Sequence, residues 1–196
     1  MAVGALILKF VIVEARQDEF LYWHTHNHIP SRLALPGFKR VQRWRSKQNQ
    51  NKFLCIYDLE YPYALYSSSY QKLVHAKPSK EEIDLKDAFS LCWRAECEKV
   101  SSNIKQTTSL IALYEIQEGL FDKLPMIKVD DSVNLKIFST SYVVKNFVCP
   151  NNQDNLTELI VVQWSKETED LIQTSQYKEF LRYQKPTDIF QLDFFN

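Results

Sequence analysis

One ungapped self-match constrains this chain more than any other feature. The stretch ALYSSSYQKL, residues 64–73, lines up with LIQTSQYKEF, residues 171–180. The alignment sets Tyr70 on Tyr177, Ser68 on Ser175 and Leu73 on Phe180. At the same offset Phe53, Leu54 and Cys55 fall on Ile160, Val161 and Val162. A chain that repeats both a helix and the strand before it at one spacing is built from two copies of one supersecondary unit.

Hydrophobic period fills in the unit. ALILKFVIV, KRVQRWRS, KFLCIYDLE and FSLCWRAECEKV read as four strands, the second and third joined by the polar loop KQNQNK. A helix runs from about Arg16 to Asn27, and YALYSSSYQKLVHA forms a second. Pro30 cannot sit inside a helix without disturbing it, so the first helix is expected to bend or restart there, with IPSRLAL as a short second piece. Gly37 then stops it.

In the second half TSLIALYEI, NLKIFSTSYVVKNF, TELIVVQWSK and DIFQLDFF repeat the strands, and EDLIQTSQYKEFLRY repeats the second helix. The order βαββαβ, twice, is the ferredoxin-like split motif with an antiparallel sheet. Helices cover one face of such a sheet and leave the other needing cover. The fold expected is therefore α+β, with two fused ferredoxin-like units closing an intrachain barrel. The boundary is expected to give 1–103 as the His-rich half and 104–196 as a degenerate half, where QEGLFDKLPMIKVDD stands in for the first helix.

Composition removes several classes. Lys+Arg and Asp+Glu are both 24, so no net field draws nucleic acid. The densest basic run, Lys39, Arg40, Arg43, Arg45 and Lys47, reads as a solvated strand face, or else as a pocket for a small anion. The four cysteines form no CxxC pair, which fits a reduced intracellular protein better than a disulfide framework. AVGALILKFVIVEA lacks a basic leader region and is too short to span a bilayer, so it reads as a buried strand. The expectation is a soluble cytoplasmic protein with no membrane and no nucleic-acid partner.

Chemistry concentrates in FLYWHTHNHIPSRLALPGFKRVQRW, which holds three of the four histidines at alternate positions. On a helix His24 and His28 share a face and His26 points away. A His pair supplies two metal ligands, whereas a catalytic zinc site takes three from the protein. Proton transfer is the stronger reading, because imidazole titrates near neutrality. Arg32, one turn on, suits an oxyanion. Tyr57 and Tyr70 can donate hydrogen bonds to a substrate oxygen, and Arg43 is a second cation. The bland alternatives are definite: His28 capping a carbonyl freed by Pro30, Arg32 paired with Glu19 or Asp18, Trp23 and Trp44 as core, and Tyr70 as packing.

The segment DEFLYWHTHNHIPSRLALPGFKRVQRW resembles the EthD-like branch of the dimeric α/β-barrel superfamily. Glu19, Trp23, His28, Ile29, Pro30, Arg32, Leu33, Pro36, Gly37, Phe38 and Arg43 fit its pattern, as do FLCIYDLE and LYSSSYQKL. Asn27 stands where an acid usually precedes the histidine, and Trp44 replaces a frequent Tyr. The motif match covers about the first 75 residues.

The resemblance implies a barrel of two ferredoxin-like units with a pocket between sheet and helices. Relatives include isomerases, polyketide cyclases, oxygenases and haem-degrading enzymes, and fold alone does not choose among them. The function expected is a cofactor-independent small-molecule enzyme acting on an apolar oxygenated substrate. His28, Arg32 and Tyr57 carry its chemistry, Trp23, His24, Arg43, Trp44 and Tyr70 line the pocket, and no metal takes part. The alternative is a non-catalytic module that binds a small hydrophobic ligand, haem included. Either a monomeric pseudo-dimer or a homodimer fits.

Overall fold

The computed structural model describes residues 4–102, 110–116, 133–145, 152–153, 158–164 and 188–195, with side chains over 4–97 and 191–193. The repeated helix at 169–183 and the segment QEGLFDKLPMIKVDD lie outside the described residues. The described strands are β1 (Gly4–Ile12), β2 (Phe38–Ser46), β3 (Lys52–Leu59), β4 (Phe89–Ser102), β5 (Leu110–Ile116), β6 (Val133–Lys145), β7 (Asn152–Gln153), β8 (Glu158–Trp164) and β9 (Asp188–Phe195). All eight long strands stand where the hydrophobic runs place them. Only the two-residue β7 has no counterpart in the sequence reading.

Their order is β4-β1-β3-β2-β9-β5-β8-β6-β7, and β4 also pairs with β6. The sheet therefore closes on itself. Every described pairing is antiparallel. Within β4-β1-β3-β2 the central strands β1 and β3 have neighbours on both edges and are covered on both faces. That is why GALILKFVI and KFLCIYDL are apolar runs with little alternation.

The two faces of this half-sheet carry separate cores. On one, Leu6, Phe10, Val41, Phe53, Cys55, Tyr57 and Cys92 pack against Phe20, Ile29, Leu65 and Tyr70 from the helices. On the other, Ala5, Ile7, Trp44, Leu54, Ile56, Trp93, Ala95 and Cys97 form the barrel lining, with Leu192 of β9 against them. The period of two along each strand fixes which residue joins which core.

Between β1 and β2 the chain is helical throughout: α1 (Gln17–Trp23), a π-helical turn (His24–His28) and α2 (Ile29–Leu33). The restart expected at Pro30 is present: α2 begins at Ile29, with IPSRL as its short piece. The strain of the proline is taken up one turn earlier, where Ile29 N–H donates to the His24 carbonyl five residues back. Ser31 Oγ bonds the His28 carbonyl at 2.7 Å. The wide turn also shifts the buried line, which runs Phe20, His24, Ile29 instead of keeping a strict spacing of four. Gly37, at φ +90°, ends the segment, and a Cβ there would lie 2.9 Å from Ala64 Cβ. After β3 come α3 (Ser68–Val74) and α4 (Lys80–Asp84), the latter opened by a Ser79/Glu82 capping box.

Candidate functional site

The π turn lays two imidazoles against each other over the helix-covered face of the sheet. His24 and His28 stack at 5.2 Å between ring centroids, 14° apart. Trp23 lies 4.9 Å from His28, and Phe20 stacks on His24 at 5.2 Å. His24, 5% exposed, is boxed by these rings and by Phe10 at 5.9 Å. Burial, then the neighbouring His28, Arg43 and Arg32, hold its pKa well below the ordinary histidine value. His28 is pushed down to about 3, by burial first and Arg32 second. Both rings are thus neutral at physiological pH.

The two histidines differ in their partners. His24 Nδ1 faces Arg43 Nη1 at 3.0 Å. A guanidinium only donates, so Nδ1 is the acceptor and the ring proton sits on Nε2. Among the described residues, the buried His28 Nδ1 has no hydrogen-bond partner. His28 therefore does not cap the helix through that atom; His26 takes the carbonyl role instead, its Nδ1 lying 2.8 Å from the Tyr22 carbonyl oxygen.

A second unpartnered atom faces the same core: the hydroxyl of Tyr57, a residue only 1% exposed. Burial, followed by the adjacent Cys55, raises its pKa, so it remains a phenol and a donor. Arg32 acts electrostatically on His24, His28 and Tyr57 alike. Its Nη1 donates to Ser31 Oγ at 3.1 Å, and among the described residues no carboxylate pairs with it. Glu19 is taken by Arg16 at 2.7 Å, so the surface pair expected for Arg32 does not form with Glu19. Tyr70 lies on the same side, stacked on Phe38 at 5.6 Å, with the Arg94 guanidinium 5.9 Å from its ring centroid.

Trp44 is elsewhere. It is fully buried in the barrel lining, with Nε1 unpartnered. Adjacent strand residues face opposite ways, so Arg43 and Trp44 cannot share one pocket. The structure thus brings together Trp23, His24, His28, Arg32, Arg43, Tyr57 and Tyr70 on the helix-covered face and leaves Trp44 outside.

The basic strand is solvated at its ends, where Lys39 and Lys47 are exposed, and closed in the middle, where Arg43 is buried. Lys39 pairs with Glu60 at 3.0 Å, and Arg40 pairs with Asp58 on the barrel side. Arg43, 5% exposed, and Arg45 both hold Asp193 of β9. Asp193 escaped the sequence reading. Its signal was faint: the second of two acids in the run DIFQLDFF, set between Leu192 and Phe194. Also missed was the cluster in which Arg94 Nη2 and Tyr66 Oη each reach Glu96 at 2.6 Å. Among the described residues the buried Arg94 Nε has no partner. Among the described residues no three His, Cys, Asp or Glu side chains could hold a metal ion. Asp58 is committed to Arg40 on the other face, and His75 Nε2 bonds Gln71.

Comparison with solved structures decides the fold. An anthrone oxidase-like protein superposes with a TM-score of 0.67, covering 100% of this chain and 93% of its own, at 8% identity. This chain is a dimeric α/β barrel in fold. A proposed monooxygenase from Fusobacterium nucleatum gives 0.60 at 8% identity, covering 100% of this chain and 94% of its own. Another from Lactobacillus acidophilus gives 0.54 at 14% identity, covering 97% and 93%. No family model matches the sequence, and no curated protein matches it significantly. Among the described residues no helix is long and apolar enough to cross a membrane.

Proposed function

We propose that this chain is a small-molecule enzyme whose first step is proton abstraction from an apolar, oxygenated substrate bound between the helical segment and the sheet. The observation that carries this reading is the pair of buried, unpartnered polar atoms, His28 Nδ1 and Tyr57 Oη, beside Arg32. Each such atom costs about 1–3 kcal/mol when left unmatched. A ligand oxygen and an acidic hydrogen would match both.

In this reading His28 accepts the proton as a neutral imidazole, and Arg32 and the Tyr57 hydroxyl hold the oxyanion that forms. The low pKa of free His28 is relieved in part by the substrate itself. Burial first and Arg32 second disfavour imidazolium in the free protein, and the negative charge developing on the substrate offsets the second of these. Trp23 supplies an aromatic wall, and Tyr70 a second phenol. The anthrone oxidase-like and monooxygenase names of the structural neighbours favour a fused aromatic ketone or phenol as substrate. The EthD-like segment and the repeated order β4-β1-β3-β2 and β9-β5-β8-β6 support descent from a duplicated unit with its polar site in residues 1–103.

Anthrone is the first probe, because the carbon opposite its carbonyl carries an acidic hydrogen. Wild-type protein in D2O should exchange that hydrogen faster than buffer does, and His28→Ala should lose the acceleration while anthrone still binds. Equal exchange by wild type and His28→Ala, with binding intact, would leave only the alternative of a sequestering module.

A further inference from the structure

We infer that Asp193, from the last strand of the second half, is a positioning residue for the histidine pair of the first half. The inference rests on the proposed function for its catalytic consequence, but not for its geometry.

Asp193 is the extra residue of a bulge. Arg43 pairs with Phe194 and Trp44 with Leu192, so Asp193 has no opposite number in the ladder. The bulge turns its carboxylate toward the arginines on the helix-covered face. Oδ2 accepts from Arg43 Nε at 2.7 Å, and Oδ1 from Arg45 Nε at 3.2 Å. With Nε fixed, the planar guanidinium of Arg43 has no freedom to swing. Its Nη1 reaches two acceptors at once, Thr25 Oγ1 at 3.0 Å and His24 Nδ1 at 3.0 Å.

The chain of contacts thus runs Asp193, Arg43, His24 and, by stacking, His28. It gives His24 one tautomer, with the proton on Nε2, and one ring plane. That plane is the floor against which His28 lies. Arg45 anchors the other oxygen and passes on to Gln17 Oε1 at 3.1 Å, tying the start of α1 to the same carboxylate. The second half is therefore more than scaffold, because the first half's site is incomplete without β9. Sequence separation of 150 residues between Arg43 and Asp193 hides the link from any local reading.

The test reads the side-chain nitrogens of the four histidines by long-range 15N–1H NMR on the full chain. Wild type is expected to show His24 as a single Nε2–H tautomer from pH 5 to 8. Asp193→Asn removes the charge and turns an amide against one guanidinium, and a mixture of His24 tautomers is expected. Arg45→Gln, which breaks only the other arm, should leave the single tautomer intact. Unchanged His24 signals in folded Asp193→Asn would overturn the inference.

If that variant does not fold, wild type alone still decides, because a His24 protonated on Nδ1 contradicts the chain of contacts outright. In the anthrone exchange assay the same variant should lower kcat about tenfold or more with little change in KM, as loss of an outer-shell partner does. A scrambled tautomer with unchanged turnover would keep the positioning claim and remove the catalytic reading of the pair.

Discussion

Single side chains in the site work against stability. Among the described residues the buried Tyr57 hydroxyl has no partner beyond the neighbouring Cys55 thiol, and the buried His28 Nδ1 has none. Replacing Tyr57 by Phe keeps the ring and removes the orphaned group. The expected result is a protein unchanged or stabilised by about 1 kcal/mol in urea titration, together with weaker ligand binding. Destabilisation beyond about 1 kcal/mol would mean that the hydroxyl is structural.

The histidines also set the pH response. Unfolded histidine titrates near 6.5, whereas folded His28 titrates at about 3 and folded His24 also below its ordinary value. Between those values the unfolded chain binds protons that the native chain refuses. Stability is therefore complete above about pH 6.5 and falls as pH drops toward 3. Comparing urea midpoints at pH 7 and pH 4.5 measures this loss, and His28→Gln should make it smaller. By the same shift, the exchange rate at limiting substrate should lack an acid limb near pH 6.5.

At the level of elements, the strands were legible and the helical turn was not. β1 and β3 announce themselves because both faces are covered, which leaves little room for polar residues. The pairing of His24 with His28 was legible from helical spacing, and so was the stop at Gly37. The π turn was not, because proline can be relieved by a kink, a restart or a widened turn, and local sequence does not select among them. Trp44 lies in a core, the other of its two readings, because the alternation that sends Arg43 to the helix-covered face sends its neighbour to the other.

Gly37 gives the sharpest prediction at this scale. Its φ of +90° and the tight approach of Ala64 and Tyr61 leave no room for a methyl group. Gly37→Ala should cost roughly 1–3 kcal/mol, read as a lower urea midpoint. The turn it holds also fixes where β2 begins, so His24–Arg43 geometry should loosen with it.

The whole molecule stands on two seams, β2 with β9 and β4 with β6. Each joins the strands of the first half to strands from the second, and neither could be read from local sequence, since the partners are far apart in the chain. Between the seams the barrel lining of the first half carries an apolar cluster, Ala5, Ile7, Trp44, Leu54, Ile56, Trp93, Ala95 and Cys97, with the Arg40–Asp58 pair on the same side. A fully buried side chain of the larger kinds contributes about 1.5–3 kcal/mol. A half-sheet showing this surface to water, with the edges of β2 and β4 unpaired, offers both a sticky face and two templates for strand addition. Residues 1–103 expressed alone should therefore associate with themselves or aggregate. The full chain should unfold in one cooperative transition, because the lining of the first half is not covered without the strands that pair with it at the seams. Native mass spectrometry of the fragment and calorimetry of the full chain measure these outcomes. A well-behaved monomeric fragment, or two separate transitions, would mean that the seams join units already stable alone. The dependence of the His24 network on Asp193 would then be a contact between finished domains and not part of one core.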